Sequence, residues 1–228
     1  MKLTKDRLLT LILIVVTFIA VTVSGIIYKQ PFYRILPLYV TLAVAALQAK
    51  ANRFASLIGC FNSIFYTVVY FVLGLYATAA YWGFVAFPVQ LVTFFLWKRK
   101  AYKHSTMLRR MTMKHGFCIA VIFAAAFIVT YFFLPSEDSS LKVLDTVSSL
   151  TGILYFYLTL MAFKEYPYVW VINVVISIIL NGAMMKEYPG QITYMFSYGY
   201  LLCTALRSIP YVNRLYKEQQ TGDPAERN

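Results

Sequence analysis

Charge is scarce in this chain, and it is missing where it would matter most. Only 13% of the 228 residues are charged while 60% are hydrophobic, and the mean hydropathy is +0.65. That balance excludes an ordinary soluble domain and points to a chain solvated by lipid. The nine acids, Asp6, Glu137, Asp138, Asp145, Glu165, Glu187, Glu218, Asp223 and Glu226, all avoid the middle third of the apolar runs. A proton-coupled carrier needs a titratable group at depth, so coupling to protons is not expected. Lysine avoids mid-run positions too, which excludes a retinal Schiff base. No G-x-x-x-x-G-K-[ST] loop occurs, and ATP hydrolysis is excluded with it. Cysteine is rare: Cys60, Cys118 and Cys203 show no paired spacing and read as small apolar residues. The two histidines, His104 and His115, have no cysteine or carboxylate for company and read as part of a solvated basic loop. With no nucleophile and base, no metal-ligand cluster and no paired acid at depth, neither an enzyme nor a cofactor is expected.

Long apolar runs are what the chain has instead. Residues 8–28 carry no charge over 21 positions, enough helix to cross about 30 Å of hydrocarbon. The run is too long for a signal peptide and lacks a small-residue cleavage site, so it is expected to be retained. Charge-free windows near 35–49, 54–73, 77–97, 117–134, 141–163, 167–185 and 190–206 predict seven more spans. Eight spans put both termini on one side. That side then holds every lysine and arginine except Lys29, Arg34, Lys142 and Lys186, out of 21. Such asymmetry is the positive-inside pattern and predicts cytoplasmic termini. The net charge of +12 is therefore a topology signal, and no nucleic-acid partner is expected.

The basic loop 98–114, "KRKAYKHSTMLRRMTMK", separates two halves of similar build. Shifting the chain on itself by 111 residues lays Asn62 on Asn173, Arg53 on Lys164, Tyr66 on Ser177 and Tyr70 on Asn181. Each set recurs at i, i+4, i+8, so each helix carries one polar stripe. Spans two to four and six to eight then form two triples in the same orientation, with span five between them. Parallel repeats of this kind build SWEET-type transporters, whose substrates bind near the midplane between the triples. An amide inside a membrane helix is otherwise interhelical glue, and the competing reading is a non-transporting scaffold held together by such amides. The repeat favours a cavity. Gln90, Phe94 and Trp97 add a further stripe beside Pro88, which is able to bend its helix, and Trp170 precedes Asn173 on its own. Trp97 abuts Lys98 and reads equally as an interface anchor. Amides flanked by aromatic faces suit a flat heterocycle bearing a hydroxylated sugar.

The runs "LPLYVTLAVAALQAKANRFASLIGCFNSIFYTVVYFVLGLYA", "FPVQLVTFFLWKRK" and "EYPYVWVINVVISIILNGAMM" resemble the PnuC vitamin transporters over roughly residues 32–217. The matching patterns are P-x-Q-x-x-x-[aromatic]-x-x-W-[KR] and W-V-x-N-V-x-x-S. The resemblance implies an all-α integral membrane protein: SWEET-like parallel repeats (3+1+3) preceded by one extra N-terminal helix. The expected divisions are 1–31 for that helix, 32–97 for the first repeat, 98–139 for the basic cytoplasmic loop and linker helix, and 140–217 for the second repeat. The polar stretch 218–228 is expected to be a disordered tail. Also implied are a bacterial inner-membrane location, a homotrimer, and facilitated diffusion of nicotinamide riboside with phosphorylation by a cytosolic kinase as the trap. Deoxyribonucleosides, thiamine and riboflavin are the alternative substrates. The resemblance carries substrate binding onto Asn62, Gln90, Trp97 and Asn173, and the polar and aromatic stripes add Tyr66, Phe94, Trp170, Ser177 and Asn181 as candidate substrate-binding residues. Two departures bear on the base-stacking surface: Phe94 stands where a tryptophan is usual, and Trp170 lies three residues before Asn173, not four.

Overall fold

The computed structural model describes residues 5–133 and 139–221, the side chains of 5–7 and 139–140 excepted. The apolar runs become helices because an unpaired backbone group in hydrocarbon costs several kcal/mol, and a helix pairs each one within its own segment. In chain order they are α1 (Lys5–Ile27), α2 (Phe32–Gln48), α3 (Phe54–Val72), α4 (Tyr76–Ala80), α5 (Phe87–Arg99), α6 (Met113–Phe133), α7 (Ser139–Leu160), α8 (Tyr166–Met184) and α9 (Ile192–Thr221). A π-helical stretch, Tyr81–Ala86, joins α4 to α5 in one continuous rod. Its cause is Pro88, which supplies no N–H and crowds the carbonyl four residues earlier, so the ladder widens before it.

Among the described residues, six of these segments are long and apolar enough to cross a membrane: Leu8–Ile27, Phe54–Val72, Tyr76–Arg99, Met113–Phe133, Leu141–Leu160 and Tyr166–Met184. The other two are α2, apolar but 17 residues long, and α9, which mixes polar and apolar residues over 30. The described helices begin within a few residues of the charge-free windows, and α9 alone runs far past its window, from the predicted end near 206 to Thr221. Large apolar side chains face outward along them, Phe61, Phe84 and Phe132 among them, as a lipid-solvated surface requires.

Packing divides the molecule into two triples. In one, α3 lies between α2 and α5; in the other, α8 lies between α7 and α9. The triples meet crosswise, α2 against α9 and α5 against α7. The extra helix α1 rests on α2 and α9, while α6 touches α7 and buries none of its own residues. The turns after α2 and α7 close alike. Ala51 (φ 47°) and Ala162 (φ 55°) are left-handed, and the N–H groups of Asn52 and Phe163 bond back to the carbonyls of Leu47 and Leu158. This is the Schellman closure that satisfies the last carbonyls of a helix.

The basic segment differs from a solvated loop. Ala101–Tyr102 and Ser105–Thr106 pair as a short antiparallel hairpin, with Ser105 and Thr106 buried. The segment is tied to both triples: Arg53 N–H donates to the His104 carbonyl (3.4 Å), and Arg109 exchanges backbone bonds with Ala162 and Lys164 (2.8 Å each). His104 Nε2 meets the Tyr211 hydroxyl at 2.9 Å. Nor does order stop at residue 217. The helix α9 continues to Thr221 because Gln219, almost fully buried, accepts from Leu108 N–H (2.8 Å) and donates to the Thr106 carbonyl (2.9 Å). The rest of the expected tail, 222–228, lies outside the described residues, as do Glu137 and Asp138.

Candidate functional site

The polar stripes of α3 and α8 face a cavity of about 120 Å³ between the triples. Asn62, Tyr66, Gln90, Trp170, Asn173, Ser177 and Asn181 all line it, and among the described residues none in its lining is charged. Phe94 and Trp97 do not. Phe94 packs on Phe54 (ring centroids 5.8 Å apart). Trp97, 1% exposed, donates its indole N–H to the Thr159 carbonyl at 3.0 Å. Trp97 thus joins α5 to α7 behind the wall, buried in the bundle and off the cavity.

The two asparagines are held in the same way. Asn62 Nδ2 donates to the Pro37 carbonyl (3.1 Å) and Thr41 Oγ1 (3.0 Å) of α2. Asn173 Nδ2 donates to the Ser148 carbonyl (2.9 Å) and Thr151 Oγ1 (3.0 Å) of α7. Pro37 and Ser148 stand in the same 111-residue register as the asparagines themselves. Each amide therefore does interhelical work with its nitrogen. The oxygens are another matter: Oδ1 of Asn62 and Oδ1 of Asn181 are buried with no partner. A buried acceptor without a donor carries a desolvation penalty of about 1–3 kcal/mol. Gln90 Nε2 donates to Ser63 Oγ at 2.8 Å. Asn181 Nδ2 donates to the Ser177 carbonyl at 2.8 Å, and the hydroxyls of Tyr70 and Tyr198 meet at 2.8 Å.

Aromatic pairs from both triples complete the wall. Tyr66 stacks on Trp82 with ring centroids 4.6 Å apart and planes at 27°; Tyr155 stacks on Trp170 at 5.8 Å and 27°. Tyr81 and Phe156 meet between them at 5.7 Å. Sequence reasoning missed Tyr81, Trp82, Tyr155 and Phe156, along with the hydroxyls of Thr41 and Thr78. Trp82 was within reach, as one of three tryptophans and close before Pro88, where a widened turn re-aims side chains. The Ser and Thr residues of α2 and α7 gave a weaker signal, since hydroxyls in membrane helices often bond only to their own backbone.

Asp145 stands beside this wall. It is buried, and its carboxylate accepts from the N–H groups of Ala77 and Thr78 and from the Thr78 hydroxyl. These are orphan donors at the start of α4, so the acid caps a helix across the joint between the triples.

The arrangement suits a ligand that offers a flat ring to the aromatic pairs and hydroxyl donors to the unpaired amide oxygens. No curated protein matches the chain. The crystal structure of the vitamin B3 transporter PnuC superposes on it with a TM-score of 0.78 at 15% sequence identity, covering 96% of this chain and 94% of that one. At that identity the match speaks for the fold. The family model described as nicotinamide mononucleotide transporter matches residues 32–211, from the start of α2 into α9. The chain therefore belongs to the nicotinamide mononucleotide transporter family, the PnuC-type vitamin transporters, and is a multi-pass membrane transporter and not an enzyme.

Proposed function

We propose that the protein mediates facilitated diffusion of nicotinamide riboside across a bacterial inner membrane, with cytosolic phosphorylation as the trap. The observation that carries this reading is the uncharged, aromatic and amide-lined cavity between the triples. A pyridine ring can lie against the tyrosine and tryptophan faces of the wall, and ribose hydroxyls offer hydrogen bonds to its amides and hydroxyls. Nicotinamide mononucleotide fits less well, because its phosphate would be buried without a cation or an oriented cluster of donors. The uncharged lining also supports diffusion without proton coupling, since Asp145, the acid beside the wall, is engaged as a helix cap.

In this scheme the chain spans the membrane eight times. The triples α2–α5 and α7–α9 are parallel SWEET-like repeats, and α6 is the helix that keeps their orientation equal. The matching Schellman turns and the matching asparagine bonds support that duplication. Cytoplasmic termini follow from the positive-inside pattern; the homotrimer and the kinase partner rest on the family resemblance.

Uptake of labelled nicotinamide riboside into proteoliposomes tests the reading. Saturable flux that is insensitive to a pH gradient is expected, with little flux of the mononucleotide. Clear flux of a deoxyribonucleoside, thiamine or riboflavin without flux of nicotinamide riboside would overturn the substrate. Absence of any saturable flux would favour the scaffold reading.

A further inference from the structure

A second cavity, about 390 Å³, uses other faces of α2 and α9. On α9, Tyr200, Thr204, Arg207, Tyr211 and Arg214 recur every three to four residues and form one wall. Lys50, just past the end of α2, faces them, and the opposite edge is Thr10 of α1. Ala46 and Ala49 keep the floor low. Three cations thus converge on one concavity whose lining, among the described residues, includes no carboxylate. The nearest described opposing charge is Glu218, 3.7 Å from Arg214 Nε and 3.6 Å from Lys103 Nζ; both pairs are exposed and weakly held. Asp6 precedes Thr10 by one turn of α1, and its side chain lies outside the described residues.

We propose that this groove binds a phosphate oxyanion, carried either by an anionic lipid headgroup or by a soluble phosphomonoester. Guanidinium forks match the geometry of phosphate oxygens, and a lysine supplies a mobile point charge. The groove is larger than a phosphate group needs, which leaves room for the organic remainder. It sits between helices at the end of the bundle that carries the basic residues, where a membrane presents its headgroups. Arg207 and Thr10 already hold interactions within the protein, so the test falls on Lys50 and Arg214, both exposed.

The full chain is placed in phosphatidylcholine nanodiscs and its thermal midpoint is followed against two additions. These are phosphatidylglycerol in the disc and inorganic phosphate in solution, the latter set against chloride at equal ionic strength. A saturable rise is expected with one of them, several-fold weaker in apparent affinity in the Lys50→Gln/Arg214→Gln variant and partly restored when Arg214→Lys replaces Arg214→Gln. A rise with phosphatidylglycerol alone identifies a lipid; a rise with inorganic phosphate in pure phosphatidylcholine identifies a soluble ester. No saturable rise with either, or an equal rise in the double variant, overturns the proposal.

Discussion

At the residue scale, Asn62 and Asn173 resolve a choice that the sequence leaves open. Their nitrogens are glue between neighbouring helices, while the residues themselves line the cavity and Oδ1 of Asn62 and of Asn181 is buried without a partner. Asn173→Leu should therefore lower stability by about 1–2 kcal/mol, the worth of interhelical amide bonds, and abolish nicotinamide riboside binding while the protein still inserts. Thermal unfolding and a binding titration on the same preparation check both parts, and normal binding by the leucine variant would confine this amide to a packing role. Trp97 behaves differently because it stands behind the wall. Trp97→Phe loses one hydrogen bond, about 1 kcal/mol, and should leave flux near that of the wild type, whereas Trp82→Ala removes half of a stacked pair and should lower flux strongly. The departure at Phe94 is likewise remote from the cavity, so it leaves the proposed stacking surface intact.

At the element scale, two glycines let the helices of the site approach. A Cβ on Gly59 would lie 1.9 Å from Gln90 Oε1, and one on Gly152 would lie 2.6 Å from the Tyr81 ring. Gly59→Ala should push Gln90 off Ser63 and raise the substrate KM for flux, with the helices still assembled; circular dichroism and transport on one preparation separate the two effects. The cap on α4 makes a stability prediction. Asp145→Ala leaves the N–H groups of Ala77 and Thr78 unpaired in a buried joint, at about 1–3 kcal/mol, and Asp145→Asn, which keeps one acceptor, should lose less. Equal thermal midpoints for the three proteins would show that the cap contributes nothing. The π stretch before Pro88 could be anticipated only as a bend. Which rings it turns inward depends on α7, because Tyr81 fits only where Gly152 leaves space.

At the scale of the whole molecule, the hairpin between the halves and the residues just after it tie the turn before α3, the turn between α7 and α8, and the end of α9. If that face is cytoplasmic, a single cysteine at Lys103 should react with a membrane-impermeant maleimide only in inside-out vesicles, and one at Lys186 only in right-side-out vesicles; the reverse pattern would invert the topology. The residues alone determined the positions of the helices, their lipid-facing character and the register of the amide stripes. These follow from hydrocarbon solvation and helical periodicity, which are local properties of the chain. Only the tertiary structure decided which triples meet and which side of each amide stays unpaired. It also decided that Trp97 lies behind the cavity and Trp82 on it, and that Gln219 anchors a hairpin. Those outcomes depend on contacts between segments far apart in sequence, where a helix face has several possible partners and packing selects one.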